Sequence, residues 1–378
     1  MELEGRQCVA INRRSLFIGG ALLVALPVLA LLAAAWAETG YISPWTVLSD
    51  SGIDGFIVKL RLYRALCAAG VGGSLALGGA IAQGLFRNPL ADPGLLGVSG
   101  GAGLGAMLGI AMLGGHGAVV FNAVGAGGVS GEFVSSLGLM AIPAMALLGA
   151  MLAAFVVYRW SVSQGQLSIA MILLAGLALN SLAGAMMAAL QTLLLDDLQI
   201  TRAIVSWGFG TLDDRGAAHV TIVWTGALFS LAAIPFIGLE LDMLASGESD
   251  AAALGADTRR IKILALASIA LSTATAVAVC GQIAFVGLLV PHLVRRIARP
   301  RHRSLMVLSF LTGATLLLSV VVIQNGLLPE LAQRLAAAGH SGAAMAVRRL
   351  ATLQPGVTTS LFGAPFFLFL LMRQTRRW

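Results

Sequence analysis

Long apolar runs, separated by short polar segments, follow one another along almost the whole chain. Most of these runs reach the ~20 residues that an α-helix needs to cross the hydrocarbon core of a membrane. The apolar residues are continuous and do not alternate with polar ones, which predicts helices rather than the strands of a membrane barrel. We predict about ten spans, at residues 16–37, 63–86, 94–113, 137–158, 167–193, 218–241, 261–281, 283–298, 304–324 and 356–372.

Composition supports this interpretation and excludes an ordinary soluble protein. Hydrophobic residues make up 58% of the chain, charged residues make up 11%, and the mean hydropathy is +0.90. Soluble domains carry roughly 25% charged residues. The segments between the spans are too short to fold alone, so we predict an all-α polytopic membrane protein with a single transmembrane domain over residues 1–378.

An even number of spans places both termini on the same side of the membrane. Sixteen of the 24 Lys and Arg residues lie on that side, and eight lie on the other. By the positive-inside rule, the side with both termini is cytoplasmic. The net charge of +7 is therefore mainly a topology signal, with some attraction to anionic lipid. It does not indicate nucleic-acid binding.

A tight polar turn separates the second and third predicted spans. Its distinctive residues are Arg87, Asn88, Pro89, Asp92 and Pro93. Such a turn at a membrane face has two explanations. Either a partner protein or a moving part contacts it, or it is a structural turn in which Asp92 caps the helix that follows.

A second polar segment, residues 243–260, predicts a short cytoplasmic helix. Residues 246–249 (SGES) are typical of a helix start, small residues run from Asp250 to Leu254, and Gly255 is a typical stop. A short helix at the membrane face fits a cleft in a partner protein. An ordinary solvated connector is the simpler alternative.

The sequence argues against two sources of energy within the chain. Ion-coupled transporters usually carry ionisable residues inside their spans, whereas here Glu240 and Asp242 lie only at a span end. A P-loop requires the pattern G-x-x-x-x-G-K-[ST], and neither of the two lysines, Lys59 and Lys262, follows a glycine. ATP-driven transport would therefore need a separate motor. An ion-coupled secondary transporter and a membrane scaffold or receptor subunit stay open as alternatives.

Five blocks of sequence between residues 61 and 371 resemble the FecCD permease family, in the order found in that family. They are RLYR at residues 61–64, GGAIAQGLFRNPLADPGLLGVSGGAGLGA from Gly78, ESDAAALG from Glu248, GQIAFVGLLVPHLVRRI from Gly281 and PGVTTSLFGAPFFLFLL from Pro355. The family comprises the membrane subunits of ABC importers for iron-siderophore complexes, haem and vitamin B12.

The resemblance implies the type II ABC importer permease fold and a set of partners. A homodimer of the permease would pair with two ATPase subunits on the cytoplasmic side. A periplasmic substrate-binding protein would dock on the outside. No catalytic residue, metal or cofactor is expected in this chain, because ATP and Mg would bind the partner ATPase. The expected location is the bacterial inner membrane.

The resemblance also assigns functions to individual residues. The residues expected to couple the permease to the ATPase are Glu248, Ser249, Asp250, Leu254 and Gly255. The residues expected to dock the binding protein are Arg61, Arg64, Arg348 and Arg349. Arginine pairs with carboxylate through two hydrogen bonds, which suits a docking contact that forms and releases. One departure is Tyr63, which stands where the family usually has proline.

The translocation path is expected along the dimer axis, lined by the fifth and tenth spans. The fifth span offers small, soft or weakly polar side chains for a large amphiphilic cargo, namely Asn180, Ser181, Met187 and Gln191. Helix packing is the alternative explanation for each of them. The cargo itself stays open among haem, a ferric siderophore and cobalamin, because recognition resides chiefly in the binding protein.

Two external segments are longer than the resemblance leads us to expect. Residues 114–136 are rich in glycine. Residues 325–354 carry leucines at 327, 328, 331 and 335, a spacing that predicts an amphipathic helix at the membrane surface.

Overall fold

The computed structural model describes residues 13–37, 40–43, 46, 52–112, 131–163, 166–213, 215–298 and 301–375. Helices dominate these residues, with two short pairs of antiparallel strands. The predicted position of the two termini and most of the segment 114–136 lie outside the described residues.

The first half of the chain contains long helices and two short strand pairs. The helices are α1 (Arg13–Ala35), α2 (Ile53–Leu85), α3 (Val98–Met112), α4 (Gly131–Ser161) and α5 (Ile169–Leu193), with a 3-10 turn at Pro93–Leu96. The strand pairs are β1 (Trp36–Ala37) with β2 (Gly40–Tyr41), and β3 (Val162–Ser163) with β4 (Gln166–Leu167).

The second half alternates long helices with short ones. They are α6 (Leu198–Gly208), α7 (Ala217–Ala232), α8 (Ile234–Leu244), α9 (Glu248–Ala253), α10 (Thr258–Cys280), α11 (Val286–Ala298), α12 (His302–Val322), α13 (Leu328–Ala337), α14 (Ser341–Ala351) and α15 (Pro355–Thr375), with a π-helical turn at Ile323–Leu327.

The membrane-spanning class is confirmed, whereas the number of spans stays a prediction. Six helices among the described residues are long and apolar enough to cross a membrane, or seven if α7 and α8, which meet at 55°, form one bent span. α3 and the first part of α15 are shorter apolar helices. α11 has 13 residues and is therefore only about 20 Å long, less than a full crossing.

The structure moves the start of the second predicted span and adds a helix after the predicted amphipathic one. α2 begins at Ile53, ten residues before the predicted span. The prediction began too late because hydropathy assigns the charged residues Asp54, Lys59 and Arg61 of its first turns to a loop. Within residues 325–354, α13 contains Leu328, Leu331 and Leu335 of the predicted amphipathic helix, and a second helix, α14, follows it. Gly339 adopts a φ of +82° between them, a conformation that ends a helix readily when the residue is glycine.

α2 lies at the centre of the bundle. Its most apolar window is 94% buried, compared with 6% for that of α1. α2 and α12 approach each other at Gly72 and Gly313, where a Cβ on Gly72 would lie 2.2 Å from the carbonyl oxygen of Gly313. Small residues allow helices to pack closely where lipid supplies no hydrophobic driving force between them. The central helix pair therefore depends on the absence of side chains at this contact.

The two ends of the bundle carry different polar groups. We name one the Arg64 end, where the start of α2, residues 211–213 and the π-helical turn meet through Arg64, Asp213 and Asn325. We name the other the Glu248 end, which holds the β3–β4 pair, α9 and the junction of α8 with α12.

Candidate functional site

A short helix projects at the Glu248 end. α9 begins after Gly247 and ends in a Schellman-type turn, in which the Gly255 amide donates to the Ala252 carbonyl and the Ala256 amide to the Ala251 carbonyl, both at 3.0 Å. Gly255 has a φ of +85° with nothing near its Cβ position, so the backbone conformation, not space, requires glycine.

α9 packs through one residue and exposes the others. Ala251 is fully buried, whereas all of the predicted coupling residues are exposed, namely Glu248, Ser249, Asp250, Leu254 and Gly255. Leu254 is 68% exposed in a segment that is otherwise small or polar. The structure thus brings all five residues together on one surface, which a partner protein can reach.

One residue of this surface also binds inward. Glu248 Oε1 accepts a hydrogen bond from Lys262 Nζ at 2.5 Å, and the same amine donates to the carbonyl of Leu167 at 2.9 Å. The Lys262 side chain is 4% exposed, against 49% for Glu248. Sequence reasoning missed Lys262, because it counted this lysine only as a topology charge.

A second polar contact at this end joins α8 to α12. His302 donates its backbone amide to Asp242 Oδ1 at 3.1 Å, and its ring Nδ1 lies 2.6 Å from the same oxygen. Arg303 donates to the Pro235 carbonyl at 2.8 Å. The helix that leads into α9 is therefore held at both of its ends.

The turn after α2 is built as a capped structural turn. Arg87 adopts a φ of +50°. The side chain of Asn88 accepts a hydrogen bond from the Leu90 amide, and Asp92 Oδ1 accepts one from the Gly94 amide at 2.8 Å. Burial raises the pKa of the Asp92 carboxyl, and the Gly94 amide lowers it by less, so the net shift is upward.

The 3-10 turn that follows is tied to α5. A Cβ on Gly176 would lie 1.9 Å from the Leu95 carbonyl oxygen, so α5 lies against the backbone of the turn. Asn180 donates to the Gly94 carbonyl at 2.9 Å and accepts from the Gly100 amide at 3.1 Å. Both ends of this amide are engaged, so Asn180 links α5, the turn and α3. It also lines a cavity of about 420 Å³ beside the turn.

The other predicted lining residues lie on more accessible parts of α5. Ser181 and Gln191 are exposed, and Met187 is half-buried. Met187 and Gln191 line a cavity of about 250 Å³ between α3, α5 and α6, together with Gln282 and Trp207. Only 22% of the most apolar window of α5 is buried within the chain, so most of this helix faces outward.

At the Arg64 end, Arg61 is buried and does not present its side chain for docking. It is 7% exposed and donates to the carbonyls of Ala34, Ala35 and Gly40, at 3.4, 3.1 and 3.3 Å. The carbonyls at the end of a helix lack partners within the helix. Arg61 therefore fastens the end of α1 to α2, and the docking hypothesis for this residue loses its geometric basis.

Arg64 is more accessible than Arg61, but it is also engaged. Its guanidinium lies 3.0 Å from Asp213 Oδ1 and donates to the Asn325 side chain at 3.2 Å, with 28% of the side chain exposed. Arg348 and Arg349 lie exposed in the last turn of α14. These three arginines are the predicted docking residues whose side chains reach the surface.

Comparison with known proteins decides the family. Residues 22–338 match the FecCD transport family. The chain belongs to the FecCD transport family. The resemblance inferred from the five sequence blocks is thereby confirmed.

The relatives of this FecCD chain align along most of its length. The hemin transport system permease protein HmuU of Yersinia pestis is 35% identical, over 94% of this chain and 95% of its own length. The vitamin B12 import system permease protein BtuC of Escherichia coli O157:H7 is 33% identical, with 93% and 94% covered. The cobalamin import system permease protein BtuC of Halobacterium salinarum is 35% identical over 82% of this chain and 72% of its own length.

A solved structure confirms the fold of this FecCD chain. It shows an ABC transporter of the metal-chelate type in an inward-facing conformation, with a TM-score of 0.71 and 26% sequence identity. The likeness covers 95% of this chain and 99% of the solved one. The predicted all-α architecture of an ABC importer permease is therefore correct.

Proposed function

We propose that this FecCD chain is the transmembrane permease subunit of a binding-protein-dependent ABC importer in the bacterial inner membrane. It moves an iron chelate, haem or a ferric siderophore, or else cobalamin, into the cytoplasm. A separate ATPase subunit supplies the energy, because the sequence contains no P-loop. The family and the relatives named for hemin and vitamin B12 support this assignment.

The observation that carries the mechanism is the exposed surface of α9. A six-residue helix that buries only Ala251 among its own residues contributes little to the core of the bundle. Its outward residues include Leu254, which is apolar and 68% exposed. Exposed apolar side chains within a polar rim are typical of protein interfaces. This surface is where the ATPase would bind.

The Glu248 end is the cytoplasmic end in this proposal. Exposed or half-buried basic residues concentrate there, namely Arg87, Arg259, Arg260, Arg295, Arg296 and Arg303. The positive-inside rule places such a concentration in the cytoplasm. The 3-10 turn that follows residues 87–93 is bonded to the middle of α5, where Asn180 donates to the Gly94 carbonyl, so this region braces the path helix rather than α9 directly.

A second copy of the chain would cover the outward faces of α5 and α15. Leu177 on α5 is 58% exposed, and Leu361 and Phe362 on α15 are 56% and 71% exposed. A homodimer built on these faces places Ser181, Met187 and Gln191 near its axis. Soft thioether and weakly polar groups suit a large cargo that must not bind tightly.

The binding protein would dock at the opposite end through Arg64, Arg348 and Arg349. Each of these arginines is at least partly exposed. Carboxylates of the binding protein would compete with Asp213 for Arg64, so the docking contact exchanges one ion pair for another. Surface ion pairs of this kind contribute little net energy, which suits repeated docking and release.

Purification of the assembled transporter tests this proposal. The permease is co-expressed with candidate ATPases and binding proteins from its own genome and purified through a tag on the permease. The purified complex is weighed by native mass spectrometry. We expect two permease and two ATPase subunits, and a binding protein that retains haem, a ferric siderophore or cobalamin. A permease that purifies alone under all these conditions would contradict the proposal.

A further inference from the structure

One buried amine joins three elements at the Glu248 end. Lys262 lies in the second turn of α10 and is 3% exposed. Its Nζ donates to Glu248 on α9 at 2.5 Å and to the carbonyl of Leu167, at the end of β4, at 2.9 Å. The ammonium therefore bridges the helix that the ATPase would contact and the strand that precedes α5.

The Leu167 carbonyl lies at the base of the proposed path helix. Ser168, the next residue, caps α5 by accepting a hydrogen bond from the Met171 amide. Its own amide donates to the Ser161 carbonyl at 3.1 Å, which closes the short β3–β4 pair. A shift of Leu167 therefore moves the first turn of α5, the helix that carries Ser181 and Met187.

The buried charge of Lys262 favours keeping both of its hydrogen bonds. A buried ammonium requires hydrogen-bond partners, because an unpaired charge away from water is strongly unfavourable. If α9 moves and Glu248 moves with it, Lys262 must follow, or it keeps only the Leu167 carbonyl as an acceptor among the described residues. Moving with Glu248 while keeping the Leu167 carbonyl is the favourable response, because the buried charge then retains both of its acceptors.

Glu248 is placed so that a partner protein can contact it while it binds Lys262. Its side chain is 49% exposed, so it faces solvent on one side and the buried Lys262 on the other. It is also the first residue of α9, where the backbone amides of the helix end favour a negative charge. A partner that displaces α9 acts on this carboxylate directly.

We propose that Lys262 is a positioning residue that transmits displacement of α9 to the first turn of α5. This inference rests on the proposed function, because it needs an ATPase that moves α9. In that role Lys262 acts through Glu248 and Leu167 and contacts neither nucleotide nor cargo. Its removal should separate ATP hydrolysis from movement of α5.

The test uses the whole complex of permease, ATPase and binding protein in proteoliposomes. A bimane label is placed on α5 through Ser181→Cys, in a chain in which Cys8→Ser removes the cysteine of the N-terminal tail; the other two cysteines, Cys67 and Cys280, are buried. The change in bimane fluorescence on addition of ATP and Mg²⁺ reports movement of α5. The rate of ATP hydrolysis is measured in the same vesicles.

Two variants of Lys262 and one matched control decide the outcome. Lys262→Met should hydrolyse ATP within about threefold of the parent while the fluorescence change falls at least about fivefold. Lys262→Arg, which retains the charge and donors, should restore at least half of the change. Lys59→Met removes the only other lysine, which is exposed at the Arg64 end, and should alter neither readout.

Glu248→Gln keeps the proposal testable if Lys262→Met does not fold. It leaves a neutral acceptor at a half-exposed position and should reduce the fluorescence change about twofold to fivefold, because an ionised acceptor binds an ammonium more strongly than an amide. The double variant Lys262→Met/Glu248→Gln should be no worse than Lys262→Met, since residues that act as one unit are not additive.

Two results would overturn the inference. One is a full fluorescence change in Lys262→Met or in Glu248→Gln. The other is an equal loss of hydrolysis and fluorescence change in Lys262→Met with Lys262→Arg no better, which would make the lysine a structural support only. A parent complex in which no ATPase assembles would instead reject the proposed function, and the inference with it.

Discussion

At the scale of single residues, buried cations fasten the bundle at both of its ends. Arg61 donates to the carbonyls that end α1, and Lys262 joins α9 to β4. Both side chains are less than 10% exposed. From the sequence alone, such residues are interpreted as surface or topology charges, because the spacing of charges along a chain does not show which of them are buried.

The burial of Arg61 separates its function from that of Arg64. Arg61→Ala removes the hydrogen bonds to the carbonyls of Ala34, Ala35 and Gly40, so we expect a loss of about 2–3 kcal/mol of stability, the scale of a hydrogen bond to a charged group. Thermal unfolding in detergent measures the loss, and docking of the binding protein to the folded fraction should be preserved.

Arg64→Ala is the control for this prediction. Arg64 is partly exposed and pairs with Asp213 at the surface, so its loss should change the melting temperature little and weaken docking. The assignment would be wrong if Arg61→Ala melted at the parent temperature and failed to dock.

At the scale of elements, α9 is the exposed segment that we propose binds the ATPase. Leu254→Asp places a charge on its apolar side chain, and burying that charge against the ATPase is unfavourable. Truncation of an interface anchor typically costs about 2 kcal/mol or more, which corresponds to about 30-fold in affinity. Retention of the ATPase during affinity purification at low concentration measures the effect.

Leu198 supplies a matched control for Leu254. It is also 68% exposed, but it starts α6 on the side of the chain that the topology assigns to the exterior. Leu198→Asp should retain the ATPase as the parent does. Equal retention in Leu254→Asp and Leu198→Asp would show that the ATPase does not bind at α9.

The contact of α2 with α12 gives a prediction about packing. Gly72→Ala would place a Cβ 2.2 Å from the Gly313 carbonyl oxygen, so the helices must separate. Overpacking of this kind typically costs about 1–3 kcal/mol. Gly20→Ala in α1, where nothing lies within 4 Å of the Cβ position, is the control. Thermal unfolding should show a lower melting temperature for Gly72→Ala only.

The sequence predicts local structure well where one residue type has one physical reason to be there. Gly255 ends α9 because it adopts a positive φ, and Asp92 caps a turn because its carboxylate accepts a backbone amide. The start of α2 is not predictable from hydropathy, because its first turns carry charged residues. One of them, Arg61, is buried and donates to carbonyls of another segment. The hydrogen bonds of Asn180 are not predictable either, because its backbone partners come from distant parts of the chain.

At the scale of the whole molecule, the two ends of the bundle expose different groups. The Glu248 end exposes a short helix and collects basic residues, and the Arg64 end exposes arginines on α2 and α14. Helices long enough to span a membrane connect them. Sequence blocks identify the family because they contain turns and caps that tolerate few alternatives. They do not reveal the cargo, because no described residue commits the path to one ligand.

Uptake driven by ATP in proteoliposomes tests the central claim most directly. Vesicles contain the permease with or without the ATPase, ATP and Mg²⁺ are enclosed on the cytoplasmic side, and the binding protein loaded with hemin, a ferric siderophore or cyanocobalamin is added outside. We predict accumulation of one of these cargoes that requires the ATPase and is blocked by vanadate. Equal accumulation without the ATPase, driven by a proton or sodium gradient, would contradict the account.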